Sequence, residues 1–387
     1  RGIIKITGTR KSNKTAPPRL GMADLPRRAH NYPHHAIRPQ QPPHPPRMTS
    51  YGYRHCMKRN TSLENALNQA QYRSMCLWPR QPQMRQLARR RAEANELLAV
   101  RHNLFARPQY WQSLDYRERI MHILRATSAR HPSWILCWIS AAAVWGLNDT
   151  YRMHDSVHIA VTTANSSRNR KHLRFHYIPN PDAVTRKGIR VTGLLQTIFD
   201  CARSLPFPQA LAICDAAMRL YSLNADTLMN HVIQQGRRAG IERARFTLSR
   251  ANPLSESGGE SICRAWLILW GYARPQLQQK FVDPVTGQER RVDFAWNLDN
   301  GLIIVLEFDG REKYVNADML GEQNSVDAVL EEKRRESNLQ LSNRIIFVRT
   351  WYDEAIRQPH LVQRKLDLAG VPRSRPPKLP HSPYTDI

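Results

Sequence analysis

Between Arg290 and Lys313 the chain reads RRVDFAWNLDNGLIIVLEFDGREK, and a continuous apolar run, Leu302 to Leu306, leads straight into two acids, Glu307 and Asp309. Such a run suits a strand covered on both faces. Carboxylates at its end are costly to desolvate without a cation. A third acid, Asp293, lies on the preceding segment, where Val292, Phe294 and Trp296 alternate with Arg291, Asp293 and Ala295 as in a half-buried strand.

The turn decides what these acids can do together. A two-residue Asn300-Gly301 loop sets Asp293 opposite Phe308 and sends the acids to opposite faces of the sheet. A three-residue loop of Asp299, Asn300 and Gly301, with Gly301 left-handed, sets Asp293 opposite Glu307 instead. That register also pairs Val292 with Phe308, Phe294 with Leu306 and Trp296 with Ile304, and it faces Arg291 toward Asp309, so it is the expected one.

Asp293 beside Glu307, with Asp309 two residues on along the same face, makes an oxygen-rich site suited to Mg²⁺ or Mn²⁺. Such an ion activates water and neutralises the charge on a phosphodiester under attack. Lys313, just past the strand, and Lys333, in the run EEKRRE on a helix predicted from near Ser325, are candidate stabilisers of a pentavalent phosphate. Upstream, SGGESICRAWLILWGY predicts a helix with Ser257 near its cap and Gly271 near its end. Glu260 on it is a candidate member of the site, although Arg264, one turn on, offers it a structural partner. The plain alternatives are a solvated loop entrance, a cross-strand Arg291–Asp309 ion pair, and an exposed charge-laced helix face for EEKRRE.

The order of these pieces resembles the PD-(D/E)XK nuclease superfamily, and within it the Vsr-like (very short patch repair) endonuclease-related domains of actinobacterial proteins. The pieces are a helix with Glu260, a strand with Asp293, a strand with Glu307-Phe308-Asp309, a helix with Lys333, and a strand from Arg344 to Arg349 followed by Trp351. The resemblance spans residues 255–370. It implies a restriction-endonuclease-like mixed sheet flanked by helices, Asp293 and Glu307 as ligands of Mg²⁺ or Mn²⁺, and a catalytic set drawn from these two with Asp309, Lys313, Lys333 and Glu260. In that superfamily a lysine stands two residues after the glutamate, whereas this chain has Asp309.

Charge points to DNA as a partner. The 387 residues hold 58 Lys and Arg against 32 Asp and Glu, a net charge of +26 that draws the chain to polyanions, although an arginine-rich proteome makes basic proteins generally. The excess is uneven: residues 1–60 carry 13 basic residues and one acid, Asp24, whereas 255–370 carry 18 acids and 15 basic residues. Binding is therefore expected from the rest of the chain rather than from the nuclease-like part.

Residues 1–60 are rich in proline and poor in apolar residues, and are expected to be a disordered basic segment. With Arg1 first and Met22 and Met48 the earliest methionines, part of it is read as upstream of the native start, with Met48 or Met57 as initiator; a basic tail on DNA is the alternative. Residues 371–387 are expected to be a disordered tail. The longest apolar run, Trp134 to Leu147, is too short to span a bilayer and contains Ser140, so no membrane partner is expected. The six cysteines show no CxxC spacing, and they are read as reduced thiols of a cytoplasmic protein; none of the 15 histidines is assigned to a metal.

Residues 61–108 suggest a winged helix. A basic helix from Met84 to Ala94, carrying Arg85, Arg89, Arg90 and Arg91, precedes two short apolar segments, 97–101 and 104–108, joined by His102-Asn103. The helix is expected in a major groove, with Arg101 and Arg107 of the wing on phosphates; an exposed amphipathic helix and hairpin is the alternative. Residues 109–250 alternate helices, at Tyr116–Arg130, Ile139–Leu147 and Leu194–Arg203, with strands at Val157–Val161 and Leu173–Ile178, and become helix-rich from Pro208. Asp200 and Asp215 there are read as solvated or capping.

This middle stretch, with WISAAAVWGL at 138–147, VHIAV at 157–161 and GIRVTGLLQTIFDCAR at 188–203, resembles the AbiEi-type antitoxins of abortive-infection systems. That resemblance implies a winged helix that represses its own operon and a following domain that opposes a toxin protein. The whole is thus expected to be α/β in class (α+β): a winged helix, a mixed α/β domain and a nuclease-like sheet. The leading expectation is a DNA-binding, Mg²⁺-dependent endonuclease-like protein of phage defence or DNA repair. Its rival is a non-enzymatic regulator or antitoxin.

Overall fold

The computed structural model describes residues 60–147, 153–163, 169–309, 322–342 and 344–381, so the expectations for residues 1–59 and for Lys313 lie outside the described residues. The described chain opens with helix α1, Thr61–Tyr72, whose first turn is capped by Asn60 accepting from the Leu63 N–H at 2.9 Å. Helix α2, Pro82–Glu93, starts on a proline at a position where no backbone donor is lost. A hairpin follows: β1, Leu98–Arg101, turns at Asn103 (φ 62°) into β2, Leu104–Ala106, and Leu77 bridges to Phe105 as a third short edge. Leu63, Leu67, Ala88, Leu97 and Phe105 close a small core between helices and hairpin, which completes a winged-helix arrangement.

The middle region begins with α3, Pro108–Ser113, and α4, Tyr116–Arg130. The sheet elements β3, Ile135–Leu136, β4, Val157–Val161, β5, Leu173–Tyr177, β6, Ala183–Arg186, and β7, Ile189–Thr192, are interrupted once by helix α5, Trp138–Trp145. The strands order as β5-β4-β3-β7-β6, with β4–β5 and β3–β7 parallel and the other pairs antiparallel. Four helices follow: α6, Leu194–Ser204, α7, Phe207–Tyr221, α8, Ala225–Gln234, and α9, Ile241–Leu248. Ile198, Phe199, Ile213, Leu228 and Leu248 pack into one core with Ile139 of α5. The winged helix is not a separate bead: Leu104, Ala106 and Trp111 share a core with Ile120, Leu124, Leu136 and Val157.

The last region runs α10, Gly258–Leu269, β8, Gln276–Val282, β9, Glu289–Asn297, β10, Leu302–Asp309, α11, Glu322–Ser342, β11, Arg344–Trp351, α12, Tyr352–Arg357, and α13, Pro359–Ala369. The sheet order is β11-β10-β9-β8, with β10–β11 parallel and the other pairs antiparallel. The αβββαβ chain path thus forms a mixed sheet flanked by helices.

Two aspartates read as solvated or capping are neither. Asp200 is fully buried and accepts from Arg203 Nε at 2.9 Å and Gln196 Nε2 at 2.7 Å. Asp215 of α7 is fully buried and takes both its oxygens to Arg264 Nη2 of α10, at 2.7 and 2.6 Å, while accepting the Asn252 N–H at 2.8 Å. Arg264 is therefore the partner of Asp215, not of Glu260. The pair sits where α7 meets α10 beside the apolar contact of Phe207, Leu211 and Ala265, so a buried ion pair joins the middle region to the sheet module.

The tail also departs from expectation as far as it is described. The Ser374 N–H donates to Gly271 O, Arg373 reaches the Tyr272 hydroxyl at 2.8 Å, and Arg243 of α9 donates to Pro380 O at 3.2 Å. Gly271 permits this approach, because a Cβ there would lie 2.5 Å from Ser374 O. Low apolar content hid these backbone contacts from the sequence reading. No helix among the described residues is long and apolar enough to cross a membrane.

Candidate functional site

From Asn297 to Phe294 the β9–β10 hairpin has the register expected of it; the expected pairs beyond, Asp293–Glu307 and Val292–Phe308, are not part of the ladder. Trp296 pairs with Ile304 and Phe294 with Leu306, and Gly301 closes the three-residue loop at φ 78° while donating to Leu298 O at 2.9 Å. One step beyond the last paired residues stand Asp293 and Glu307. There Asp293 accepts the Phe308 N–H on Oδ2 at 2.8 Å, so its carboxylate caps the end of the β10 ladder.

Two groupings form around these acids. In the first, Gln278 of β8, held at φ 54°, points its amide to Glu260 Oε2 at 3.2 Å and toward Asp293 Oδ1 at 3.5 Å. Glu260 comes this close because α10 begins on glycines: a Cβ on Gly259 would lie 2.3 Å from the Phe308 ring. Ser257 caps the helix by accepting the Glu260 N–H at 3.1 Å, and the Glu260 carboxylate accepts the Glu256 N–H at 2.8 Å. Burial, and then the charge of Asp293, push the Glu260 carboxyl up to about 7.

The second grouping centres on Arg349. In the parallel pairing of β10 with β11 it lies beside Glu307, and its guanidinium approaches Glu307 Oε2 at 3.6 Å and Asp309 Oδ2 at 3.3 Å. Glu336 of α11 accepts from its Nε at 2.6 Å. Burial opposes the charge on Arg349, but Glu336, Glu307 and Asp309 outweigh it and hold the guanidinium protonated.

Arg291 does not face Asp309 as expected. It pairs with Glu256 at 2.8 Å, because Arg349 from the other neighbouring strand reaches Asp309 first. Lys333 is exposed on α11.

As arranged, these oxygens are engaged by groups of the chain itself. Glu307 and Asp309 converge on a guanidinium, Asp293 is engaged by a backbone N–H and near Gln278, and among the described residues no cluster of three or more His, Cys, Asp or Glu is placed to hold a metal. Arg349 sets one positive charge of the chain itself against Glu307, Asp309 and Glu336.

The six arginines expected on DNA divide in the same physical terms. Arg91 is 8% exposed and bonded to Glu96; Arg107 ties the wing to α1 through Gln71, Glu64 at 2.7 Å and Asn68 at 2.9 Å; Arg101 donates to His154 O. Arg85 is half-buried and donates to Arg80 O at 3.3 Å. Arg89 and Arg90 remain exposed on α2, Arg89 touching Asn103 of the wing turn at 2.8 Å.

Sequence reasoning missed a buried histidine group. His158 Nδ1 lies 2.8 Å from His176 Nε2, the two rings stack, and Trp138, at φ 52°, stacks on His176 with centroids 3.7 Å apart. Burial first, and then neighbouring His158, Arg101, Arg174 and Arg203, lower the histidines: His154 and His176 to about 3 and His158 to about 4. The only sequence signal was the spacing of His158 and His176 on two adjacent strands, which nothing local distinguishes from scatter. The free cysteines among the described residues, Cys76, Cys137, Cys201, Cys214 and Cys263, are all buried.

Two proteins from strains of Mycobacterium tuberculosis, described as uncharacterized proteins MT2308 and Rv2248, are each 38% identical to the chain over 112 residues. The aligned stretch is 28% of this chain and 41% of each relative, so the chain spans less than half the length of the curated relatives it matches. One family model also matches, and it covers the sheet and helices that follow the winged helix. Residues 135–250 match the AbiEi antitoxin C-terminal domain.

Proposed function

We propose that this chain is a DNA-binding regulator of the antitoxin kind, in which the winged helix holds duplex DNA, the AbiEi-like region engages a toxin protein, and the αβββαβ module is not an enzyme. The observation that carries this reading is the AbiEi match over 135–250, directly behind a winged helix with Arg89 and Arg90 exposed on α2. Arg349 supports the last clause: its guanidinium stands among Glu307, Asp309 and Glu336, in the place a ligand of these acids would take. In this reading Arg89 and Arg90 meet phosphates and base edges, while Arg85, Arg91, Arg101 and Arg107 set the shape that presents them.

A second reading, Mg²⁺- or Mn²⁺-dependent phosphodiester hydrolysis, is favoured by the placement of Asp293 and Glu307 one step beyond the last paired residues of β9 and β10. It requires Arg349 to leave Glu307 and Asp309. One experiment separates the two: full-length chain is incubated with plasmid and Mg²⁺ or Mn²⁺, and duplex binding is measured in parallel across a salt series. The regulator reading expects salt-dependent binding without nicking, in the wild type and in Glu307→Gln alike. Nicking by the wild type that Glu307→Gln abolishes would establish the second reading.

A further inference from the structure

Between the hairpin β1–β2, helix α2 and strand β5 the surface opens into a cleft of about 1090 Å³, remote in sequence from the acidic sheet end. One wall is aromatic. His131 stacks on Trp134 with centroids 3.8 Å apart and planes 7° apart, and Trp78 meets His131 edge-on at 5.6 Å. All three rings are half-buried, so part of this wall faces the cleft. Burial, and then Arg130 and Arg170, lower the proton affinity of His131, which keeps its ring neutral and suited to stacking.

The rim is cationic. Arg89, Arg170 and Lys171 line it, and Glu93 is the one acid in the lining. Arg170 and Lys171 are exposed, and their side chains donate to no protein acceptor among the described residues. Flat neutral rings beside cations without a protein counter-charge match the two halves of one ligand class. A nucleobase stacks on aromatic rings, worth about 1–3 kcal/mol per base, and its phosphate takes charge-assisted hydrogen bonds from Arg and Lys. The volume is at the upper end of small-molecule sites, which span roughly 300–1,000 Å³. A duplex, with its bases stacked inside, offers such a cleft no free base face.

We propose that this cleft binds a nucleotide, with its base against Trp78, His131 and Trp134 and its phosphate on Arg89, Arg170 and Lys171. The site goes beyond the regulator reading, which shares Arg89 with it but needs neither the aromatic wall nor Arg170 and Lys171. The nucleotide is either free or part of an unpaired strand, since both present the same base and phosphate.

Isothermal titration of the full chain with adenosine and guanosine mono- and triphosphates, with the matching nucleosides, with inorganic phosphate and with a short single-stranded oligonucleotide tests this. A nucleotide or the single strand should bind at least tenfold more tightly than nucleoside or phosphate alone, because neither half fills both walls. Binding by mononucleotides identifies a free ligand as the source, and binding by the oligonucleotide alone identifies a strand. Arg170→Ala/Lys171→Ala removes two exposed side chains without touching a core, and it should weaken binding at least tenfold with the melting temperature unchanged. Trp134→Leu should weaken it as well, with Trp134→Phe restoring most of the loss. Failure of every probe to bind, or unchanged affinity in the double variant, overturns the proposal. Duplex binding by the same variants is scored separately, so loss of the regulator reading leaves this result standing.

Discussion

The acid-lined end of β10 and the basic cleft beside the wing are both clusters of like charge, and they differ in where the opposite charge comes from. At the sheet end, Arg349 arrives from the neighbouring parallel strand and ties Glu307 and Asp309 to Glu336 of α11. At the cleft, Arg170 and Lys171 face solvent and meet no carboxylate among the described residues. A cluster closed by its own chain has a structural reason to exist, whereas an open one keeps its field for a ligand. Counts of charged residues do not distinguish the two, because Arg91 and Arg107 are as cationic as Arg90 yet are occupied in holding the winged helix together.

The largest expected effect tests how firmly the closed interior resists charge. His154, His158 and His176 take protons in the fold only near 3 to 4, whereas in the unfolded chain they do so near 6.5. Their stabilisation is complete above that value and is lost as pH falls toward 4, at about 1.4 kcal/mol per pH unit for each. Glu260 works the other way by one proton, since its carboxyl is raised to about 7 in the fold. Urea denaturation between pH 6 and pH 5 should therefore lose stability at about 3 kcal/mol per unit from these four groups, the lowered His122, His131 and His231 adding to it, and Glu260→Gln should steepen the loss. A flat profile over that range would mean the histidines are hydrated.

Comparable in size is the effect at the joint between regions. Asp215→Ala leaves Arg264 buried without its carboxylate, and the expected cost is about 3–5 kcal/mol in chemical denaturation. An equal cost from Asp353→Ala, whose partner Arg357 lies on the surface, would break the distinction between closed and open charge. Gly259→Ala drives a Cβ into the Phe308 ring, and a loss of about 1–3 kcal/mol is expected from the strain on α10 against β10.

Arg349→Gln sharpens the comparison directly, because it converts a closed cluster into an open one. Mn²⁺ should raise the melting temperature of this variant by several degrees and leave the wild type unmoved, about 1.4 kcal/mol of binding for each tenfold excess over the dissociation constant. Identical responses would show that Arg349 does not stand in the ion's place. The smallest effect is on DNA: Arg90→Ala should lower duplex affinity several-fold and the salt slope by about 1, with stability unchanged. Arg107→Ala should do the reverse, since its partners are Glu64, Gln71 and Asn68.

What the sequence revealed and what it concealed follow from the range of each interaction. The β9–β10 register was legible because a left-handed glycine and the alternation of Val292, Phe294 and Trp296 lie within one hairpin. The bounds of helix α4, Tyr116 to Arg130, were legible for the same local reason, and the structure adds the cap at Asp115. Arg349 was not, because its place beside Glu307 depends on a parallel pairing made across α11, and no short-range pattern announces which strand will lie there. The cleft was hidden for a similar reason. Trp78, Arg89, Trp134 and Lys171 come from four separate segments, and each looks ordinary where it stands in the chain.

The segment after α13 has a mechanical consequence. It leaves the sheet module at Val371, crosses Gly271 and Tyr272, and ends its described course against Arg243 of α9, so it straps one region to the other across their outside surface. The Asp215–Arg264 pair acts at the inner edge of the same joint. With one fastening inside and one outside, the sheet module has little freedom to swing about the α7–α10 contact. A load applied to the module by anything it grips is passed to the helices behind the winged helix as torque, instead of being absorbed by a loose linker.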